Sequence, residues 1–305
     1  MERVKTNFSS QIIVLSVALI IALPVRVYQY LNVIDPTTGF YNSWVNPTVF
    51  GLYGLCLAVI IALIALSHRG GKKAIYELPD KKNTALAVTS LIFSISIVAD
   101  VVMQIIKLAS VFGGKVEISQ LVLKDNVGKS AVYFMFAQVI FGLLSAAYLA
   151  VFGFNYLSDS RDHKPMKILA AAPVLWGITR LMIRFMQTIS FRYVSELLFE
   201  LLMIVFFCLF YISFIKFNEN YLEKRVQTRV IGYGLICIFF SMLSVIPRYI
   251  VAIMGRNDVL YRQESLYQFC DIGSAVFIAA VIFCAVAQMQ YKNVEEYEPV
   301  EADEE

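Results

Sequence analysis

Histidine is nearly missing from this 305-residue chain: His68 and His163 are its whole supply. Both fall outside the long apolar runs, which excludes histidine-based metal, haem and Ser-His or Cys-His chemistry from the interior of the protein. There is no HExxH, no GxxxxGK[ST] and no GxGxxG between a strand and a helix. A zinc-protease site and a built-in nucleotide cradle are therefore not expected, nor is any other cofactor. Charge is scarce as well, at 16% of residues with a formal net of +3, so nothing points to nucleic acid as a partner. Cysteines number five (Cys56, Cys208, Cys237, Cys270 and Cys284), all inside apolar runs where a thiol packs as a small apolar group. Without CxxC spacing they form neither a disulfide framework nor a zinc site.

What the chain has in abundance is apolar surface: 59% apolar residues and a mean hydropathy of +0.68 put it in the membrane class. Crossing about 30 Å of hydrocarbon takes about 20 helical residues. Eight runs qualify, over approximately 11–32, 48–67, 85–107, 131–157, 168–188, 196–216, 230–254 and 266–290. They are apolar on nearly all sides, whereas barrel strands would alternate, so the expected fold is an all-α polytopic bundle with the lipid bilayer as solvent. The run beginning near Gln11 has no small-residue cleavage pattern after it and reads as the first span, not as a removed signal. The membrane domain should cover residues 1–292. Residues 293–305, with Glu295, Glu296, Glu298, Glu301, Asp303, Glu304 and Glu305, read as an acidic, disordered tail.

Lys and Arg accumulate on the cytoplasmic side of membrane proteins. With the N-terminus inside, fifteen of them lie in inner segments, against seven in outer segments. Both termini are accordingly expected in the cytoplasm, and the plasma membrane is the expected location. The Gly70–Gly71–Lys72–Lys73 loop then suits anionic headgroups. The longest outer segment, about Val111 to Gly128, is expected to form a surface helix or strand pair.

Shifting the fifth and sixth spans by 68 positions onto the seventh and eighth aligns Arg180 with Arg248, Tyr193 with Tyr261 and Glu196 with Glu264. Leu175, Ile178, Met186 and Leu198 meet like residues under the same shift. A duplicated helical hairpin is the expectation that follows.

Inside the spans lie Arg26, Asp100, Arg180, Arg184, Glu196, Glu200, Arg248 and Asp271. A charge near the bilayer centre costs roughly 2.5–3.5 kcal/mol on insertion scales, so each needs a reason to be there. With the N-terminus inside, all eight fall in the outer half of the bilayer. Helical spacing gives them shared faces: Arg180, Arg184 and Gln187; Glu196 and Glu200; Ser96, Asp100 and Gln104; Ser241, Ser244 and Arg248; Arg26 with Gln29 and Tyr30. Such faces should point into the bundle or a cavity. Four positive and four negative groups also suit ion pairs that only fix packing. The functional expectation is a permease-like or ligand-sensing protein with an outward-facing polar cavity for a small charged or zwitterionic solute. Arg180 and Arg184 would hold its anion, with Arg248 and Arg26 next, and the acids would orient them, hold an amine or relay protons. A membrane enzyme acting on lipid, with Glu196, Glu200 or Asp271 as its acid, is the alternative. Residues around Asp100 and Asp271 do not supply the Gly-x-Gly-Asp context of intramembrane aspartyl proteases.

Overall fold

The computed structural model describes residues 2–35, 41–42, 46–69, 74–75, 78–79, 82–112, 129–158, 168–187, 194–218, 224–256, 258, 269–288 and 290–291. Among these residues the regular structure is helical, apart from one two-residue strand pairing and an isolated bridge between Ile34 and Tyr41. The helices are α1 (Glu2–Asn32), α2 (Pro47–Arg69), α3 (Thr84–Phe112), α4 (Lys129–Ser158), α5 (Ala172–Gln187), α6 (Val194–Asn218), α7 (Lys224–Ile253) and α8 (Phe269–Ala287). Seven of them are long and apolar enough to cross a membrane. The fifth is not in that set: α5 has 16 residues, about 24 Å of helix, and carries two arginines. It is preceded by a 3-10 turn at Leu169–Ala171.

The exposed surface is that of a protein immersed in an apolar solvent. Ile20 on α1, Ile95 on α3, Phe154 on α4 and Phe185 on α5 are more than half exposed. Charged residues such as Arg26 and Arg248 are buried instead. On α5 this inversion is explicit: Leu175, Ile178, Met182 and Phe185 face outward, while Trp176, Thr179 and Ile183 are buried. An amphipathic helix in water would do the opposite.

Helices α3, α4, α5, α6, α7 and α8 pack in chain order, and α8 packs back against α3 to close a six-helix ring. The ring's middle is filled by rings. Phe93 stacks on Phe277 at 5.9 Å, Trp176 meets Phe207 at 5.7 Å, and Phe152 meets Phe214 at 5.8 Å. The hairpin α1–α2 sits outside the ring, with both helices against α7. This makes α7 the hub, and most of its span is buried.

Close approach is built from small residues. Ser90 and Ser94 on α3 donate to the carbonyls of Leu149 and Ala146 on α4, at 2.7 and 2.8 Å. A Cβ on Gly234 of α7 would stand 2.7 Å from Ile282 Cδ1 and 2.9 Å from Ile278 Cγ2 of α8, so glycine is what lets those helices touch. At one end of the bundle β1 (Ala74–Ile75) pairs antiparallel with β2 (Gln290–Tyr291), which puts the segments after α2 and α8 side by side. Helix α8 therefore ends short of the expected residue 290.

The expected surface element at 113–128 and the acidic tail at 293–305 lie outside the described residues, as do Tyr193, Tyr261 and Glu264 of the hairpin alignment. The two halves of that alignment occupy unlike places: α5 has 16 residues on the ring's rim, and α7 has 30 at its hub.

Candidate functional site

The intramembrane charges meet at one end of the bundle, opposite the β1–β2 pairing, in three connected groups. The first is centred on Arg180 of α5. Its Nη2 lies 2.8 Å from Asp271 Oδ1 at the start of α8, and its guanidinium sits over the Trp176 ring, 4.8 Å from the centroid. Both side chains are largely buried, with Asp271 at 2% exposure. The first turn of α8 is tied down around that acid: Ser241 of α7 donates to the Asp271 carbonyl at 2.6 Å, as does Ser274 at 2.9 Å. The Cys270 thiol donates to Asp271 Oδ1 at 3.6 Å.

Asp100 of α3 stands beside this pair without joining it. Its Oδ2 accepts from Gln138 Nε2 of α4 at 3.2 Å. Arg180, Arg184 and Asp271 lie within electrostatic reach. No ion pair to Asp100 is present among the described residues.

One turn further along α5, Arg184 Nε lies 3.3 Å from Glu200 Oε2 of α6. The other carboxylate oxygen of Glu200 accepts from Arg248 Nη2 of α7 at 2.6 Å, so one acid is gripped from two helices. Charge-assisted contacts of this length are the strong kind. Arg248 also donates from Nε to the Tyr30 hydroxyl of α1 at 3.3 Å.

Tyr30 leads to the third group. Arg26, one turn earlier on α1, lies over the Tyr30 ring at 4.7 Å and over Phe199 of α6 at 5.0 Å. Its Nη1 donates to Gln29 Oε1 at 2.9 Å and to the Tyr41 hydroxyl at 3.4 Å. Gln29 donates onward to the Thr48 carbonyl of α2 at 3.0 Å. The Tyr41 and Tyr53 hydroxyls are 3.4 Å apart. Each of the eight helices thus supplies at least one group to a single belt.

Six of the eight sequence candidates have described partners in the belt: Arg26, Arg180, Arg184, Glu200, Arg248 and Asp271. Asp100 is adjacent through Gln138, and the side chain of Glu196 lies outside the described residues. The neutral members Gln138, Tyr41 and Tyr53 were not among the candidates. An amide in the middle of the apolar run Val132–Gly142 is the local signal that would have found Gln138. At the opposite end of the bundle the buried polar contacts among the described residues are uncharged: Gln11 donates to Ser67 at 3.3 Å, and Asn83 to Cys284 Sγ at 3.5 Å. The described buried contacts there are neutral, but not purely apolar.

Trp176 Nε1, Tyr211 Oη and Ser244 Oγ, buried close to this belt or below it, have no hydrogen-bond partner among the described residues. Ser244 is one turn before Arg248 on α7, where Pro247 leaves the Leu243 carbonyl without its helical donor. No group of His, Cys, Asp and Glu suited to a metal ion occurs among the described residues. What the belt can do chemically is grip anions with guanidiniums, accept cations at carboxylates and exchange protons. No known protein family matches the chain, and no curated protein or solved structure matches it either.

Proposed function

We propose that the protein is a permease-like or ligand-sensing membrane protein that receives a small charged or zwitterionic solute at the belt, from outside the cell. The observation that carries this reading is the belt's confinement. Buried charge is drawn from all parts of the bundle to one end, while the other end is held by neutral groups. Packing alone could use ion pairs at any depth, whereas a solute site needs them where the solute arrives. Arg184 and Arg180, at 17% and 10% exposure, are the belt's most open guanidiniums among its ion pairs and the first contacts for an anionic group.

In this reading the chain spans the plasma membrane eight times with both termini in the cytoplasm. The 3-10 turn and α5 together reach about 30 Å, enough for the eighth crossing. The excess of Lys and Arg on one set of loops supports the orientation. A duplicated hairpin is supported by the way the two aligned arginines exchange acids: Arg180 takes Asp271 of α8, and Arg248 takes Glu200 of α6.

A second reading, a packing lock without solute, is favoured by the closed 2.6 Å and 2.8 Å pairs. Cysteine accessibility separates the two. In a background without the native cysteines, Ser244→Cys and Asp258→Cys are exposed to a membrane-impermeant maleimide on intact cells. Asp258 is a solvent-exposed loop residue and reports the side. The solute reading expects both to label from outside, Ser244→Cys more slowly. Protection of Ser244→Cys beside a labelled Asp258→Cys leaves the packing lock.

A further inference from the structure

We propose that Asp100 is the proton-exchanging carboxyl of the belt, and that its protonation decides whether Arg180 serves Asp271 alone or is shared with Asp100. Glu200 and Asp271 are each in direct contact with a guanidinium. A proton added to either one breaks a buried ion pair. Among the described residues Asp100 has the neutral Gln138 amide on Oδ2 and no other hydrogen-bond partner, so a proton on Oδ1 breaks no described contact.

Position strengthens the case. Ser96, one turn before Asp100 on α3, lies against Gly273, where an added Cβ would stand 2.8 Å from the Ser96 hydroxyl. Helices α3 and α8 run in opposite directions, so the next turn of α3 brings Asp100 level with the first turn of α8. The groups facing it are Gln138 from α4, Cys270 and Asp271 from α8, and Arg180 and Arg184 from α5. Two carboxylates therefore stand around one guanidinium. With the proton on Asp100, Arg180 pairs with Asp271, as in the structure. When the proton leaves to water, the new carboxylate repels Asp271 and draws Arg180 toward α3, which loosens the joint between α5 and α8. That joint is next to the contact that closes the six-helix ring.

The inference deepens the solute-site reading by giving that site a coupling ion. It is tested with protons alone, so failure of one does not imply failure of the other. Arg180 lies over Trp176, and the chain has two tryptophans, so a Trp44→Phe variant leaves Trp176 as the single reporter. In full-length protein in lipid nanodiscs, Trp176 fluorescence is expected to change reversibly with pH in Trp44→Phe and to stay flat in Trp44→Phe/Asp100→Asn. Infrared difference spectra on the same samples should show a carboxylic-acid C=O stretch that grows as pH falls. It should move with ¹³C-aspartate labelling and vanish in Asp100→Asn. If Asp100→Asn does not fold, Gln138→Leu decides, because loss of the amide contact should shift that stretch. A pH response unchanged in Asp100→Asn, or an aspartic-acid band unmoved in Gln138→Leu, overturns the proposal.

Discussion

Glu200→Gln is the sharpest test of how the belt is held. The substitution keeps the volume and removes the charge that faces Arg248 at 2.6 Å and Arg184 at 3.3 Å. Two guanidiniums then lose a shared acid in a place where water is scarce. Breaking a buried pair from one side costs about 3–5 kcal/mol, and here two contacts go at once. Asp271→Asn removes the charge from the 2.8 Å pair with one guanidinium and leaves Arg180 its seat over Trp176, so its cost falls below that of Glu200→Gln. Asp100→Asn breaks no ion pair and forfeits at most a hydrogen bond, about 1 kcal/mol. The expected order of loss is Glu200→Gln, then Asp271→Asn, then Asp100→Asn. Thermal unfolding of the purified protein in one detergent at one pH reads it, with Glu200→Gln lowering the midpoint by the order of 10 °C for a chain of this size. Adding Arg248→Gln to Glu200→Gln should recover part of the loss, because the second change removes a cation the first left uncompensated. If Glu200→Gln unfolds within about 2 °C of wild type, or Asp100→Asn proves the worst of the three, the pairing described here does not hold the bundle.

Glycine positions give a paired expectation. Gly234→Val should cost about 1–3 kcal/mol by forcing α7 away from Ile278 and Ile282. Gly54→Ala in α2, where an added Cβ meets nothing within 4 Å, should be neutral or gain up to about 1 kcal/mol of helix propensity. Both are read as shifts of the same melting midpoint. At Trp176 the indole N–H has no hydrogen-bond partner among the described residues, so Trp176→Phe should be much milder than Trp176→Ala, which opens a cavity worth about 3–5 kcal/mol. The Ser90→Ala/Ser94→Ala pair removes two interhelical hydrogen bonds and should cost about 0.6 kcal/mol for each, and a larger loss would mean the α3–α4 seam depends on them more than membrane hydrogen bonds ordinarily allow.

The helices and the charged layer were legible because both are local signals: a run of apolar residues long enough for a bilayer, and an ionisable residue inside it. Arg180 and Arg184 could be placed on one face of α5 from spacing alone. Their partners could not. Spacing left Glu196, Glu200, Asp100 and Asp271 all open as acids for these arginines, and in the fold Arg180 turns to Asp271 on α8 while Arg184 turns to Glu200 on α6. That choice depends on α8 closing the ring between α7 and α3, from where Asp271 reaches Arg180, and no pattern within one helix encodes which helices become neighbours. The hub role of α7 was hidden for the same reason, since its apolar run resembles the others and only packing from α1, α2, α6 and α8 buries it. What the apolar runs hid was how far α5 differs from an ordinary span. Its two arginines and 16-residue helix set it apart from the other seven. Tyr41 and Tyr53 were unreadable, because a tyrosine near a helix end is commonplace in membrane proteins and becomes a belt member only when Arg26 arrives beside it.

Ring closure by α8 also fixes an order of assembly. Arg180 is made with α5, long before its acid, because Asp271 is synthesised 91 residues later at the start of α8. Until α8 docks, the nascent bundle holds an open seam between α3 and α7 and an arginine whose final counter-charge has yet to be made. Helix α8 is thus a checkpoint: a chain stopped before residue 269 would be left with an unsealed, positively charged flank, the kind of defect by which membrane quality control separates incomplete proteins from finished ones.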